Sequence, residues 1–446
     1  MITRRLVRWL DERVGTAGLG RAALSKVFPN HWSFLLGEIA LYSFIVLILT
    51  GVYLTFFFDP STATITYDGS YEPLVGVEMS QAYRSVLELT FDVRAGLVMR
   101  QTHHWAAVVF AAAIVAHMAR VFFTGAFRRP RELNWIIGIT LLLMAILNGF
   151  AGYSLLDDQL SGTGLRILYS VVLAVPLVGT WIASLLFGGN FPGTQILERL
   201  FVIHILIVPV VIGLLLVLHM GLLLRHRHTH FPGGGATDRN VVGERLWPTY
   251  ALKAGGFFFL TSGALGLMGG IFQINPIWIY GPFRPGNVSA ASQPDWYMGW
   301  LEGSLRLMPP WEVRAFGFML PNPFFSGVLL PGVTFGLLYA WPFMEAWLTG
   351  DHAEHHVLDR PRDRPVRTAL GVAALTFFTI LMVAGADDVL AVTFDLEFNR
   401  MVWVFRTLLL VAPPVAAFVT YRLCIELVQR ERDSQASLPA AAETVT

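Results

Sequence analysis

Apolar runs recur along the whole chain and are separated by short polar segments. Each run reaches the length of about 20 residues that a helix needs to cross a lipid bilayer. The runs lie at 32–58, 104–124, 135–156, 201–224, 255–280, 324–348, 368–386 and 402–421. This pattern predicts an all-α membrane protein with eight transmembrane helices.

A ninth apolar run, at about 167–187, contains Pro176 and follows the turn-rich segment 157–162. If this run does not cross, the two termini and the loops after the second, fourth and sixth spans share one side. That side then carries 21 of the 32 Lys and Arg residues. Because basic segments are typically cytoplasmic, we predict cytoplasmic termini and an outer-face helical hairpin at 161–187, between spans three and four.

The composition, with 54% hydrophobic and 14% charged residues, excludes a soluble globular protein. A formal net charge of +1 provides no basic surface for nucleic acid, which is not an expected partner. Cys424 is the single cysteine, so this chain alone forms no disulfide, no covalent CxxCH haem attachment and no iron–sulfur cluster. Any metal must be held by other ligands.

Four histidines lie in two of the predicted spans with matching separations. His103 and His117 are fourteen residues apart on the second span, which keeps them within about 40° of one helix face and about 21 Å apart along the axis. His204 and His219 are fifteen apart on the fourth span, about 60° off one face. Because these two spans run parallel, His103 should face His204 near the outer side, and His117 should face His219 near the inner side.

Two flat prosthetic groups fit between such pairs. Haem ligated by two imidazoles needs one histidine from each side of its plane and no cysteine. We therefore predict a four-helix bundle that encloses two stacked, non-covalent haems b, with His103, His204, His117 and His219 as iron ligands. His104 is not expected to be a ligand, because its spacing to His117 turns it about 140° away.

Glycines on the first and third spans repeat the fourteen-residue spacing, which allows close packing at both haem depths. They are Gly37, Gly51, Gly138 and Gly152. Arg100 and Arg120 each lie three residues from a predicted ligand and are candidates to pair with haem propionates. Ordinary helix packing and arginines reaching the membrane surface are the alternative explanations.

Two carboxylates, Asp295 and Glu302, lie in the long outer loop between the fifth and sixth spans, in a segment rich in Trp and Tyr. A site that removes protons from a substrate near a low-dielectric wall needs a titratable group at its mouth. Either carboxylate could serve as that group. The alternative is an interfacial aromatic belt with two solvated acids.

Several long motifs resemble the cytochrome b subunit of the cytochrome bc complex (quinol:cytochrome c reductase), especially the actinobacterial, menaquinol-using type. They are His31–Glu38, Gly125–Glu132, Leu160–Gly164, Asn275–Trp278 and Gln293–Tyr297. The fifteen-residue step from His204 to His219 also fits that branch. Pro-Asp-Trp-Tyr at 294–297 replaces the Pro-Glu-Trp-Tyr of ubiquinol enzymes, which favours a low-potential quinone such as menaquinone.

The resemblance implies a Q-cycle. Menaquinol is oxidised in an outer pocket formed with Asp295, Glu302, Tyr297 and Tyr153; one electron leaves to a Rieske iron–sulfur protein, and the other crosses through the two haems to reduce a quinone at the inner face. This contributes to the proton gradient across a bacterial cell membrane. The implied partners are the Rieske protein, a cytochrome c subunit, membrane lipids and a second copy of the chain, and docking to a terminal cytochrome c oxidase is compatible with it.

The chain departs from the mitochondrial pattern at the inner quinone site. Lys253 matches a basic position, but the acid that follows it in mitochondrial relatives is Ala254 here. The inner histidines are also out of the mitochondrial register; they are His226, His228 and His230. In addition, Leu156 replaces a common proline that would line the outer pocket. Proton delivery at the inner site is therefore not readable from the sequence.

We expect the chain to divide into a cytoplasmic tail at 1–31, a haem-binding part at 32–230, a second four-span part at 231–430 with the outer loop 272–322, and a disordered tail at 431–446. Two other functions remain open at this point. One is a dihaem, quinone-linked membrane anchor of another oxidoreductase. The other is a haem-free, proton-coupled transporter.

Overall fold

The structure is a computed structural model that describes residues 9, 11–13, 24–287, 293–315 and 317–436. Most of the predicted N-terminal tail and residues 437–446 of the predicted C-terminal tail lie outside the described residues. Residues 431–436 are helical, because the last helix continues to Ala436.

Helices make up most of the described chain. In chain order they are α1 (Trp32–Thr55), α2 (Gln81–Phe91), α3 (Gly96–Phe123), α4 (Glu132–Ser154), α5 (Gln159–Leu173), α6 (Gly179–Phe187), α7 (Ile196–His226), α8 (Leu246–Ile271), α9 (Ile277–Tyr280), α10 (Trp296–Leu307), α11 (Asn322–Thr349), α12 (Pro365–Ala384), α13 (Asp387–Phe394) and α14 (Phe398–Ala436).

Among the described residues, eight helices are long and apolar enough to cross a membrane: α1, α3, α4, α7, α8, α11, α12 and α14. The predicted fold class is therefore confirmed. The ninth apolar run forms the two short helices α5 and α6, separated by a turn that contains Pro176. We call the end of the bundle that carries these two helices the outer end, after the predicted orientation.

The fifth span was predicted at 255–280, but its helix begins and ends nine residues earlier. The helix α8 ends at Ile271, and Phe272 is already extended. Asn275 then adopts a positive φ of 47°, and Pro276 cannot continue a helix because its ring removes the N–H donor. The apolar residues that follow belong to the separate turn α9.

The six short strands form three antiparallel ribbons in the described part of the chain. They are β1 (Val27–Phe28), β2 (Thr64–Thr66), β3 (Glu78–Ser80), β4 (Glu244–Arg245), β5 (Val313–Ala315) and β6 (Phe318–Leu320). β1 pairs with β4 at the inner end, whereas β2 pairs with β3 and β5 pairs with β6 in outer loops.

Helices α1, α3, α4 and α7 form the bundle that carries the predicted ligands. α1 packs along α3, and α4 packs along α7. Ile137 and Leu141 on α4 form one buried cluster with Val208 and Ile212 on α7. The two helices that carry histidines therefore each lie against a helix that carries the spaced glycines.

The outer hairpin is fastened at its first turn. The carboxylate of Asp158 accepts hydrogen bonds from the backbone N–H groups of Leu160 and Ser161 at 2.8 and 3.0 Å, which caps α5. The Gln159 N–H donates to Gly281 O at 2.9 Å and connects the hairpin to the segment before α10. Burial nevertheless raises the pKa of Asp158 to about 6.

At the inner end, one buried guanidinium holds three loops together. Arg131 donates to His355 O at 2.6 Å, to His226 O at 3.1 Å and to Arg227 O at 3.0 Å. It also bonds His356 Nδ1 at 2.7 Å. Because one charged guanidinium donates hydrogen bonds to carbonyl oxygens of different loops, the arginine fixes the loops that close the inner end.

Candidate functional site

The four predicted ligand histidines form two facing pairs inside the bundle. The ring centroids of His103 and His204 are 6.1 Å apart, and their planes meet at 75°. Those of His117 and His219 are 6.4 Å apart, at 73°. Each pair joins α3 to α7, and the two pairs lie at the two depths that the spacing predicted.

Both separations match the geometry of one metal ion held between two imidazoles. Metal–nitrogen bonds of about 2 Å on opposite sides of an ion place the two ring centroids about 6 Å apart. In the described ranges no group of three or more His, Cys, Asp or Glu side chains could hold a metal ion. The pairs therefore fit haem iron, which takes its four other ligands from the porphyrin.

The outer pair is held in the tautomer that metal binding requires. The hydroxyl of Thr50 donates to Val46 O at 2.7 Å and lies 2.9 Å from His103 Nδ1, so this nitrogen is the donor. His204 Nδ1 lies 3.0 Å from Asn148 O, which can only accept. Both rings therefore keep a free lone pair on Nε2.

A local widening of α7 explains how a fifteen-residue step keeps His204 and His219 on one face. Residues Ile203–Ile207 form a π-helical turn, which contains one more residue than an α-helical turn. His204 lies within this turn. In a regular α-helix, fifteen residues would turn His219 about 60° away from the direction of His204. The wider turn reduces this angle, so both histidines reach their partners on α3.

Each predicted glycine lies directly behind one of the histidines, on the neighbouring helix. A Cβ at Gly37 would lie 3.2 Å from His117 Cε1, and one at Gly51 would lie 3.3 Å from His103 Cε1. A Cβ at Gly152 would overlap the imidazole of His204, whereas one at Gly138 would lie 3.7 Å from His219 Cε1. The glycines thus make room for the imidazoles, which is a closer role than the porphyrin contact that their spacing suggested.

Two arginines, the buried Arg100 and the half-buried Arg120, lie beside the pairs with buried donor atoms that are unused. Arg100 is 5% exposed and donates from Nη1 to Asn275 O at 3.1 Å. Its Nε and Nη2 have no hydrogen-bond partner among the described residues, and the same holds for Nε of Arg120. The Arg120 guanidinium lies 4.7 Å from the centre of the Phe34 ring. Buried cations with free donors suit an anionic group such as a haem propionate.

The outer histidine pair opens into a cavity of about 420 Å³ that also contains three of the four predicted quinol-site residues. Asp295, Tyr297 and Tyr153 line it, together with Leu156. The Tyr297 hydroxyl donates to Asp295 Oδ2 at 3.0 Å. The structure therefore places a carboxylate, two phenols and the outer histidine pair around one largely apolar space.

Glu302 does not line this cavity. It lies two helical turns beyond Asp295, about 10 Å along α10, and accepts a hydrogen bond from Arg306 Nε at 2.9 Å. Arg306 also pairs with Asp387 and Asp388. Burial raises the pKa of Glu302, although its bond to Arg306 opposes the shift.

His104, which the sequence placed outside the ligand pairs, lines the cavity that contains Asp295 instead. Its Nε2–H donates to Asp295 Oδ1 at 2.7 Å. Sequence analysis treated it only as a rejected ligand. The signal that could have found it is its position beside His103, because adjacent residues on a helix point about 100° apart and this one must face a different neighbour.

At the inner end, a cavity of about 300 Å³ lies one helical turn beyond His219, and Phe28 and His228 contribute to its wall. The Phe28 ring lies 4.5 Å from the rings of both His228 and Tyr250. Burial and the nearby guanidiniums of Arg120 and Arg131 lower the pKa of His228 to about 3, so this imidazole is neutral at physiological pH.

The carboxylate beside Lys253 comes from another part of the chain than in mitochondrial relatives. Glu244 on β4 binds Lys253 Nζ at 2.7 Å and also accepts from Asn30 at 3.2 Å. The Lys253 side chain is 54% exposed, so this ion pair faces the solvent. The carboxylate that position 254 lacks is therefore supplied in space by Glu244, nine positions before Lys253.

Comparison with known proteins shows which family this chain resembles. Residues 108–282 match the family described as Cytochrome b(N-terminal)/b6/petB. The cytochrome bc1 complex cytochrome b subunit of Mycobacterium tuberculosis is 53% identical over 424 residues, which cover 95% of this chain and 77% of that protein. The subunit of the same name from Streptomyces coelicolor is 51% identical over 429 residues, which cover 96% and 79%. Both relatives are actinobacterial, as the motifs predicted.

A solved structure titled Hyperthermophilic respiratory Complex III shares the fold. It superposes with a TM-score of 0.68 at 21% sequence identity, and the match covers 93% of this chain and 99% of that chain. At this identity the likeness concerns the course of the helices.

Proposed function

Because this chain belongs to the family of cytochrome b subunits of cytochrome bc1 complexes, we propose that it carries electrons between menaquinol oxidation at its outer end and quinone reduction at its inner end. The family membership makes it a multi-pass membrane subunit of a respiratory quinol:cytochrome c reductase. It also removes the two alternatives that the sequence left open, an anchor for another oxidoreductase and a haem-free transporter.

The observation that carries the proposal is the pair of imidazole pairs at two depths. We assign His103 and His204 to an outer haem b, and His117 and His219 to an inner one. Haem b bound at each level supplies a one-electron carrier. The chain's own residues fix the four imidazoles, leave room behind them at Gly37, Gly51, Gly138 and Gly152, and offer Arg100 and Arg120 to the propionates.

We further propose that the part of the outer cavity beside Asp295, next to the space between His103 and His204 that the haem would occupy, binds the quinol. Oxidation of a quinol to a quinone releases two electrons and two protons, and Asp295 is the carboxylate in the cavity wall that can take a proton. Tyr297 and Tyr153 form the aromatic walls that hold the ring. Glu302 is the second candidate, although its bond to Arg306 turns it elsewhere. The Pro-Asp-Trp-Tyr sequence supports menaquinol as the substrate.

The remaining parts of the proposal rest on the family and on charge. A Rieske protein and a cytochrome c subunit take the electrons that leave at the outer face, in a homodimeric complex of the bacterial cell membrane that is able to dock a terminal oxidase. The basic loops place both termini in the cytoplasm. We assign haem binding to residues 32–230 and the outer quinol-site loop to the part at 231–430.

The first test is a haem count in the purified complex by pyridine haemochrome, with a reduced-minus-oxidised spectrum and a redox titration. We expect two haems b per chain. His103→Ala and His204→Ala should each remove the outer haem, whereas His117→Ala and His219→Ala should each remove the inner one. Loss of both haems from every single variant that still folds would contradict the pairing.

The second test separates the two carboxylates. Asp295→Asn should lower the turnover of a menaquinol analogue by about 100-fold, since general-base catalysis contributes about 10²–10⁴-fold, while both haem spectra stay intact. Glu302→Gln is the matched control on the same helix and should cost much less. Full turnover in the first variant with a large loss in the second would move the role to Glu302.

A further inference from the structure

Asp295 occupies a helix position whose usual hydrogen bonds it does not make. It is the N-cap residue of α10, yet its side chain accepts no hydrogen bond from a backbone N–H group in the first turn of that helix. An aspartate at this position normally accepts from backbone N–H groups and stabilises the helix by about 1 kcal/mol. Something must therefore hold the carboxylate away from its default conformation.

Two side chains do so. The Tyr297 hydroxyl binds Oδ2 at 3.0 Å and His104 binds Oδ1 at 2.7 Å, so both oxygens are engaged. Tyr297 belongs to α10 itself and moves with Asp295. His104 belongs to α3, the helix that carries His103, and among the described residues it alone ties this carboxylate to a helix other than α10.

The contact is shielded, because the side chains of His104 and Asp295 are only 12% and 15% exposed. The position of α10 does not depend on it: Trp296 Nε1 donates to Val108 O on α3 at 3.3 Å and gives the first turn a separate attachment. Loss of the His104 bond would therefore change the direction of the carboxylate more than the location of the helix.

We propose that His104 is a positioning residue for quinol oxidation, which holds the Asp295 carboxylate in the quinol cavity and prevents it from capping α10. The inference rests on the proposed role of Asp295 as proton acceptor. A neutral imidazole with its proton on Nε2 is sufficient, so a change in the charge of His104 is not required. Without this donor, the carboxylate rotates to the free N–H groups of its own helix and leaves the cavity.

The experiment compares three substitutions in the assembled complex. His104→Leu keeps the volume and removes the donor. His104→Gln carries an amide nitrogen at about the reach of Nε2, whereas His104→Asn carries the same amide but is too short. We expect His104→Leu and His104→Asn to lower kcat for a menaquinol analogue by about 10-fold, because small misplacements of a reacting group have effects of this size or larger. His104→Gln should stay within about threefold of the parent.

KM should change by less than about twofold in all three, because the cavity walls that bind the ring are untouched. Both haem spectra should be unchanged, which separates a positioning effect from damage at His103. In the Asp295→Asn background, His104→Leu should cause no further loss, because it acts only through the carboxylate. An additive loss, or a His104→Gln variant as slow as His104→Leu, would overturn the proposal.

A cryo-EM structure of the His104→Leu complex provides a readout that is independent of turnover. We expect the Asp295 carboxylate at the backbone N–H groups of α10, and an unchanged carboxylate position would refute the inference. The structure of this variant also separates the proposed role of Asp295 from the proposed role of His104. If Asp295→Asn turns over normally, the role of Asp295 fails, while the side-chain position still decides whether His104 directs it.

Discussion

The outer and inner levels of the bundle hold their histidine pairs at nearly the same separation, 6.1 and 6.4 Å, but in different surroundings. At the outer level, Thr50 and Asn148 bind the Nδ1 atoms of both imidazoles. At the inner level, His117 Nδ1 is buried with no partner in the described part of the chain. The two levels therefore share the separation of the histidine rings but not the hydrogen bonds to their Nδ1 atoms.

The carboxylates at the two ends also differ, and again the outer one is held by more contacts with the protein. Asp295 lies in the wall of the outer cavity, shielded and held by two side chains, whereas Glu244 at the inner end forms an ion pair with the solvent-exposed Lys253. A shielded base allows the protein to control when a proton leaves. A carboxylate in contact with solution exchanges protons freely. The comparison indicates that the outer site is the more tightly built of the two.

The strongest test of this comparison replaces one glycine of α4 at each level, which fills the space behind one histidine. Gly152→Ala would place a methyl group on the imidazole of His204, whereas Gly138→Ala would make only an ordinary contact with His219 at 3.7 Å. We expect the first variant to lose the outer haem and the second to retain both, as measured by pyridine haemochrome and redox titration. Equal haem content in the two variants would show that the glycines do not position the histidines.

A smaller effect is expected from the hydrogen bonds on Nδ1. Thr50→Val removes the acceptor for His103, which makes the imidazole a weaker donor to iron and should raise the midpoint potential of the outer haem alone. Thr140→Val is a matched control, because the Thr140 hydroxyl binds Ile136 O and Tyr339 but no ligand histidine. A shift of the inner haem in the Thr50 variant would contradict the assignment of levels.

The smallest effect concerns the pH dependence of stability at the two ends. Burial raises the pKa of Asp157, beside the outer hairpin, to about 6. Its folded form keeps a proton that the unfolded form loses near pH 3.8, so stability falls between these values and stays lower above pH 6. Asp157→Asn should therefore raise the free energy of unfolding at pH 7.5 by at most about 3 kcal/mol, which raises the thermal midpoint there and leaves it nearly unchanged at pH 4.

Asp238 at the inner end provides the opposite case. Burial opposes the shift, but the backbone N–H groups of Val357 and His356 lower its pKa overall. Its contribution is present above the unfolded value near 3.8 and is lost below it. Asp238→Asn should therefore lower the thermal midpoint at pH 7.5. Changes of the same sign in the Asp157 and Asp238 variants would show that the two ends do not differ in this way.

Much of the architecture could be predicted, because apolar length is a local property of the chain. All eight spans follow from it, whereas the hairpin with Pro176 followed from the distribution of Lys and Arg residues between the two sides. The end of the fifth span could not be predicted in this way, since Ile277–Tyr280 is as apolar as the helix before it and only Asn275 and Pro276 interrupt the run. Glu302 was a candidate on residue type and loop position alone, and its i,i+4 spacing to Arg306 could have indicated the ion pair that occupies it.

By itself, the sequence determined that four histidines occur as two pairs at two depths, because spacing along a helix translates directly into angle and rise. Only the tertiary structure decided what surrounds them. The π-helical turn that contains His204 is not indicated by the spacing of the histidines. The contacts of His104 with Asp295 and of Glu244 with Lys253 join residues that are distant or displaced in the chain, and such contacts form only when separate helices and loops come together.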